Sequence, residues 1–222
     1  MTQSIVVPNP DALNFSQVAQ LYSATRQGRE LIITPFYDRL DYVAAGQSTL
    51  KFFQIPNGQN NKTLEDTNMN LAGQLPNGYS FLVEAITLTF IPAAAISTVG
   101  ALALTNFAND VKAFFRRGVM TFNIMSRPYH QVAPLGMVPP KTGLAVGGAA
   151  SNGTTLAAAQ AYTQEYATIA GPSFTLGVAP IMLEANSNFD ITLNWPGGNL
   201  ALPSNANASV FCHLWGALYR QV

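Results

Sequence analysis

The sequence predicts an antiparallel all-β sandwich. Seven or eight runs of strand length are each stopped by Gly, Pro or Asn clusters and joined by turns and long loops. Several of these runs alternate apolar and polar residues with period two, as antiparallel strands with one wet face do. The length, 222 residues, supplies one sizeable core and is ordinary for a single sandwich domain.

Residues 1–13 read as an irregular arm, because Pro8 and Pro10 block helix. The stretch "NFSQVAQLYSATRQG" then reads as a short amphipathic helix. Asn14 caps it, Gln17 holds the capping-box position and Gly28 stops it. Phe15, Val18, Ala19 and Tyr22 form one stripe at i, i+3, i+4 and i+7. That stripe packs on the parent domain or docks on a neighbouring subunit, and Phe15, Val18 and Tyr22 are candidate interface residues. The arm and helix together are expected to occupy residues 1–30, and the β-domain residues 31–222.

Period two begins with "ELIITPFY" and "STLKFFQI", both strand candidates, and "KTLEDTNMNLAGQLPNG" is a long polar connection. "YSFLVEAITLTFIP" is a strong strand, with Leu82, Ile86, Leu88 and Phe90 expected on one face and Thr87 and Thr89 on the other. Glu84 then falls on the apolar face, where it needs a partner or an edge. A short helix is expected over roughly Asn106 to Arg117, closed by Gly118, and a strand restarts with Met120, Phe122 and Ile124 facing inward. "RPYHQVAPLGMVPP" reads as a Pro-rich loop. Residues 139–172, rich in Gly and Ala, are a long loop or an insertion.

The C-terminal third returns to strands. In "FDITLNW", Phe189, Ile191, Leu193 and Trp195 take one side, and Asp190, Thr192 and Asn194 the other. The last strand has no wet side. Phe211, His213, Trp215, Ala217 and Tyr219 share one face; Val210, Cys212, Leu214, Gly216 and Leu218 share the other. Only one set can line the core. The compact set with Cys212, Leu214 and Leu218 suits a packed interior. Trp215 and Tyr219 each carry a polar atom and suit a face covered by a helix, a loop or another subunit; both are candidate interface residues.

Composition points the same way. Charged residues make up 10% of the chain, against roughly 25% in ordinary globular proteins. Interface cores are depleted in Lys, Glu and Asp. Eleven basic and eleven acidic residues balance, so strong direct nucleic-acid binding, which needs a basic surplus, is not expected. Cys212 is the single cysteine and reads as a small buried hydrophobe. The start has no charged n-region or long apolar h-region, and no apolar run is long enough to span a membrane. The expectation is synthesis and assembly in a cytoplasm. Asn-x-Ser/Thr triplets such as those at Asn61, Asn152 and Asn207 are then chance.

Reactive constellations are scarce. The histidines are His130 and His213 only, so a three-His metal site is impossible, and neither stands in an HxD or HExxH spacing. There is no G-x-S-x-G elbow and no phosphate-cradling glycine loop. Glu65-Asp66, the one adjacent acidic pair, reads as a solvated turn. No catalytic, metal or cofactor-binding residues are expected, and the chain is not expected to be an enzyme.

The N-terminal arm and helix, "ANDVKAFFRRGVMTFNI", "RPYHQVAPLGMVPP", "IMLEANSNFDITLNWP" and the terminal "LWGALYRQV" together resemble the single jelly-roll major capsid proteins of tailless icosahedral phages, particularly membrane-containing ones. The resemblance covers most of the chain as a pattern. It implies one jelly roll of about eight strands with long loops, in trimeric or pseudo-hexameric capsomers. It also implies a virion location, with other virion proteins and an internal lipid membrane as neighbours. The alternatives are a secreted or surface carbohydrate-binding sandwich (a lectin or adhesin) and another virion subunit of a spike, tail or filament. A small β-sandwich enzyme stands third, with the scarcity of His against it.

Overall fold

The computed structural model describes residues 29–92, 110–125, 127–138, 174–175 and 181–221. The expected arm and helix up to Gly28, the first residues of the helix expected from Asn106, and the 139–172 segment lie outside them. The described strands are β1 (Arg29–Ile33), β2 (Phe36–Tyr42), β3 (Thr49–Phe52), β4 (Tyr79–Pro92), β5 (Val119–Ile124), β6 (Arg127–Pro134), β7 (Phe174–Thr175), β8 (Ile181–Leu183), β9 (Phe189–Asn194) and β10 (Ala208–Gln221). β1 starts at Arg29, inside the span 1–30 assigned to the arm and helix.

The strands form two antiparallel sheets, and the all-β sandwich class holds. The larger sheet runs β1-β10-β4-β7, with β2 also on β10 and β8 also on β4; the smaller runs β3-β9-β5-β6. β1 and β2 share one edge of β10, while β8 and β7 share the far edge of β4. Ten strands therefore fill eight positions. These positions nest: the first pairs with the last, β3 with β9, β4 with β7/β8, and β5 with β6.

One core cluster joins the inner faces. The larger sheet contributes Val83, Leu88, Phe90, Cys212 and Leu214; the smaller contributes Phe52, Met120, Phe122, Ile191 and Leu193. Each such side chain contributes about 1.5–3 kcal/mol on leaving water. β9 follows its alternation: Phe189, Ile191, Leu193 and Trp195 are all buried. Residues 110–117 are helical and close one end of the core. There Phe114 packs against Tyr42, Phe90 and Trp195, with ring centroids 4.9–5.5 Å apart. The Trp195 indole N–H donates to the Phe114 carbonyl at 3.2 Å. Gly118 ends the helix as expected.

Two expectations are corrected. In β4 a register shift falls opposite Trp215/Gly216: Trp215 pairs with Ala85 and Gly216 with Val83, leaving Glu84 as the extra residue of a bulge. A bulge flips the parity of side chains. Phe81 and Val83 therefore face the core on one side of it, and Ile86, Leu88 and Phe90 on the other, while Glu84 is exposed. Leu82 is not a core residue, and Glu84 needs no buried partner. The second correction is β6. Residues 127–134 form a strand, so His130 lies in a ladder opposite Phe122 rather than in a loop. Prolines 128 and 134 are tolerated because β6 is the edge of its sheet, where ladder hydrogen bonds are dispensable.

The polar connection between β3 and β4 contributes more than expected. Met69 and Leu75 enter the core, and the segment is tied to β2 by charge. Asp38, fully buried, accepts from Lys62 Nζ and, at 2.6 Å, from the Phe53 N–H. Lys62 also donates to the Arg39 carbonyl at 2.9 Å. Asp66 pairs with Arg39 at 2.9 Å, so it is more than part of a solvated turn. Its carboxyl is held below the usual range by the Thr63 N–H and by the Arg39 guanidinium.

Asp110 gives a pH prediction. It is buried, accepts the Ser204 N–H at 2.9 Å through Oδ1, and has no partner for Oδ2 among the described residues. Burial raises its pKa. A carboxyl with a raised folded-state pKa gives stability that is present below the unfolded value and lost as pH rises through the folded value. Asp110→Asn should therefore gain in melting temperature over wild type at pH 8 and lose that gain at pH 4. Thermal unfolding of both proteins across this range is the check; an equal difference at every pH would contradict it.

Candidate functional site

The two outer faces differ in chemistry. On the smaller sheet, Asp190 accepts from Asn123 at 2.7 Å and from Thr192 at 2.8 Å, and pairs with Lys51 at 3.2 Å. That face is polar and internally hydrogen-bonded, as a wet sheet face is. The outer face of the larger sheet sets the aromatic side chains of β10 among polar ones: Arg39 and Thr89 flank Phe211, and Thr87 lies opposite His213.

Alternation along β10 builds this face. Val210, Cys212 and Leu214 point inward and are fully buried, so the face assignment made from the sequence holds there. Phe211, His213 and Trp215 point outward. Their rings stack in succession, at 5.8 Å and 11° and then at 6.1 Å and 25°. Tyr37 of β2 stands beside His213 at 6.1 Å. The Trp215 indole N–H donates to Thr87 Oγ1 at 3.1 Å, yet the residue stays 42% exposed. Tyr219, on the same face, is buried within the chain. The two candidates therefore part: Trp215 presents surface and Tyr219 does not. Phe15, Val18 and Tyr22 lie outside the described residues.

The pairing register sets beside Ala217 three residues that sequence reasoning did not place on this face, Ile33, Leu82 and Met182. Ile33 of β1 lies opposite Ala217, Ala217 opposite Leu82 of β4, and Leu82 opposite Met182 of β8. These four make an apolar row across the sheet, roughly 14 Å long at about 4.8 Å per strand step. Ile33 is 70% and Met182 41% exposed, whereas Ala217 is 3% exposed. The local signal was weak, since the four residues come from distant segments and only the register aligns them.

Charge also stands on and beside this face: Arg39 lies opposite Phe211, and Glu84 is exposed at the bulge. Arg220 makes two hydrogen bonds to Glu30, one through Nε at 3.0 Å. Arg39 pairs with Asp66 and, at 3.9 Å, with Asp41.

The reactive side chains are dispersed. His130 lies in the smaller sheet and His213 in the larger. Cys212 is buried, and burial with the nearby Asp38 carboxylate pushes its thiol well up, so it stays protonated. Among the described residues no group of three His, Cys, Asp or Glu side chains could hold a metal ion, and no helix is long and apolar enough to cross a membrane.

The two faces of β10 separate in a mutational test. Leu214→Ala should cost about 3 kcal/mol of folding stability, as core truncations do. Trp215→Ala should cost under about 1 kcal/mol, because half-exposed surface changes little on truncation. Urea unfolding of both variants measures this, and a larger loss for Trp215→Ala would reverse the assignment of faces.

No protein-family model matches the chain, and neither curated proteins nor solved structures yield a match.

Proposed function

We propose that this chain is a structural protein that self-assembles into a shell, as the major capsid protein of a virion built from single jelly rolls. The observation that carries the reading is the outer face of the larger sheet. Ile33, Met182 and Trp215 leave large apolar side chains exposed on that one face, and exposed apolar surface gathered in one place marks interaction surfaces. The low charge content fits the same role, since contact surfaces are poor in ions.

The nested pairing supports the jelly-roll reading. An eight-strand hairpin folded over so that first meets last, second meets seventh, third meets sixth and fourth meets fifth has the two-Greek-key order of that architecture, which viral capsid domains use. A trimeric or pseudo-hexameric capsomer, other virion proteins and an internal lipid layer belong to the same proposal. Lectins share the architecture, but the aromatic residues here give sugar binding little support. Phe211, His213 and Trp215 turn their ring faces toward one another, whereas a sugar-stacking platform needs faces turned outward.

The test is negative-stain microscopy with light scattering on the purified full chain. Shells, or discrete capsomers that close into shells on concentration, are the expected result. A stable, monodisperse monomer at about micromolar concentration would overturn the proposal.

A further inference from the structure

The tripeptide Pro-Asn-Gly occurs twice, at residues 56–58 and 76–78. Both copies fold into the same turn. The Gln59 N–H donates to the Pro56 carbonyl at 3.3 Å, and the Tyr79 N–H to the Pro76 carbonyl at 3.1 Å. Gly58 and Gly78 both take a φ of 82°, in the left-handed region that glycine enters freely. Local sequence and local backbone therefore match, and only the surroundings differ. Asn57 is half-buried and held on both sides. Its N–H donates to the Met69 carbonyl at 2.8 Å, and the Gly58 N–H donates to the Lys62 carbonyl at 2.9 Å. Lys62 is in turn tied to Asp38 and to the Arg39 carbonyl. Asn77 is exposed, and neither its N–H nor that of Gly78 donates to any group among the described residues.

We infer that Asn77 is a site of spontaneous deamidation in the folded chain, and that the fold protects Asn57 from the same reaction. The Gly78 backbone nitrogen gives up its proton to solvent base and attacks Cγ of the Asn77 side chain. The new N–Cγ bond closes a five-membered succinimide. The Cγ–Nδ2 bond breaks, and the nitrogen leaves as ammonia, taking up a proton from solvent. Water then opens the ring at either carbonyl and leaves aspartate or isoaspartate at position 77. One water is consumed and one ammonia released, with nothing oxidised or reduced. Glycine favours the attack because it has no Cβ to block the approach to its nitrogen. At Asn57 the attacking nitrogen must first lose its bond to the Lys62 carbonyl. At Asn77 no such bond stands in the way. The product places a carboxylate where the chain enters β4, and a chain with no net charge becomes acidic.

The experiment is incubation of the purified full chain at pH 8, folded and in concentrated urea, with peptide mass spectrometry at intervals and fragmentation to assign each site. In urea the two tripeptides should convert at similar rates, because the residues at the reacting bond are the same. In the folded chain Asn77 should convert roughly fivefold faster than Asn57 or more, the scale set by one hydrogen bond that has to break.

Equal rates in the folded chain, or faster conversion at Asn57, would overturn the inference. So would an Asn77 that stays intact when folded over the time in which it converts in urea. A difference between the two sites that persists in urea would overturn it as well, by tracing the contrast to the flanking sequence instead of the fold.

Discussion

Gly216→Ala should abolish or nearly abolish folding. A Cβ at Gly216 would lie 1.8 Å from the Leu82 carbonyl oxygen and 2.9 Å from its carbon. These are backbone atoms of the central neighbouring strand, so no side chain can rotate out of the way. The close approach comes from the β4 bulge, which brings the two central strands of the larger sheet together where Glu84 is extruded. Accommodating the methyl group means separating β10 from β4 or undoing the bulge. Undoing it would restore simple alternation and turn Glu84 toward the core, where an unpaired carboxylate is costly. The loss is on the order of 4 kcal/mol or more, the far end of single substitutions. That is a large part of a total of about 5–15 kcal/mol. Gly197→Ala is the control, since a Cβ there meets nothing within 4 Å. Urea unfolding should place that variant within about 0.5 kcal/mol of wild type. If Gly216→Ala unfolds at the same urea concentration as Gly197→Ala, the bulge geometry is wrong.

Lys62→Met should be the most damaging change outside the sheets. Its ammonium is the positive partner of Asp38, which is fully buried, and the Phe53 N–H occupies the other carboxylate oxygen. Burial already raises the Asp38 pKa, against the opposing pull of Lys62 and that N–H. Removing the ammonium leaves a buried charge without its counter-ion, at a cost of about 3–5 kcal/mol. The effect depends on pH with a definite sign. The raised folded-state pKa moves further above its unfolded value, so the penalty is full at alkaline pH and shrinks as acid neutralises the carboxyl. The variant should thus be far less stable than wild type at pH 8 and closer to it at pH 5. Asp38→Asn combined with Lys62→Met should recover most of the loss at pH 8, because a neutral amide carries no charge to strand. Equal losses at both pH values, with no recovery in the double variant, would mean that the pair is not a buried ionic contact.

Much of the sandwich was legible because strand alternation is a local property. "FDITLNW" alternates cleanly and β9 buries the apolar set. The faces of β10 around Leu214 follow from which set lacks polar atoms. Gly118 stops the helix that precedes β5. Each of these depends on neighbours a few residues apart. The errors arose where a distant strand intervenes. Leu82 reads as core by strict parity in β4, but the bulge against Gly216 turns it outward, and that bulge exists only because β10 lies alongside. Residues 127–134 read as a loop because prolines exclude a central strand; nothing local says that this strand is an edge.

The sequence by itself determined that the chain would be an antiparallel β-protein poor in ions and poor in reactive constellations, and that its last strand would be apolar on both faces. Composition and period two suffice for this, since both are set by the residues alone. Only the tertiary structure decided which apolar residues meet on the outer face. Ile33, Leu82, Met182 and Ala217 become neighbours through three antiparallel registers, and a register slip of one residue would turn any of them to the other side. It likewise decided that Lys62, in a polar connection, would neutralise Asp38 inside the fold. Such pairings join residues far apart in the chain, and their geometry is settled by the packing of whole strands and connections.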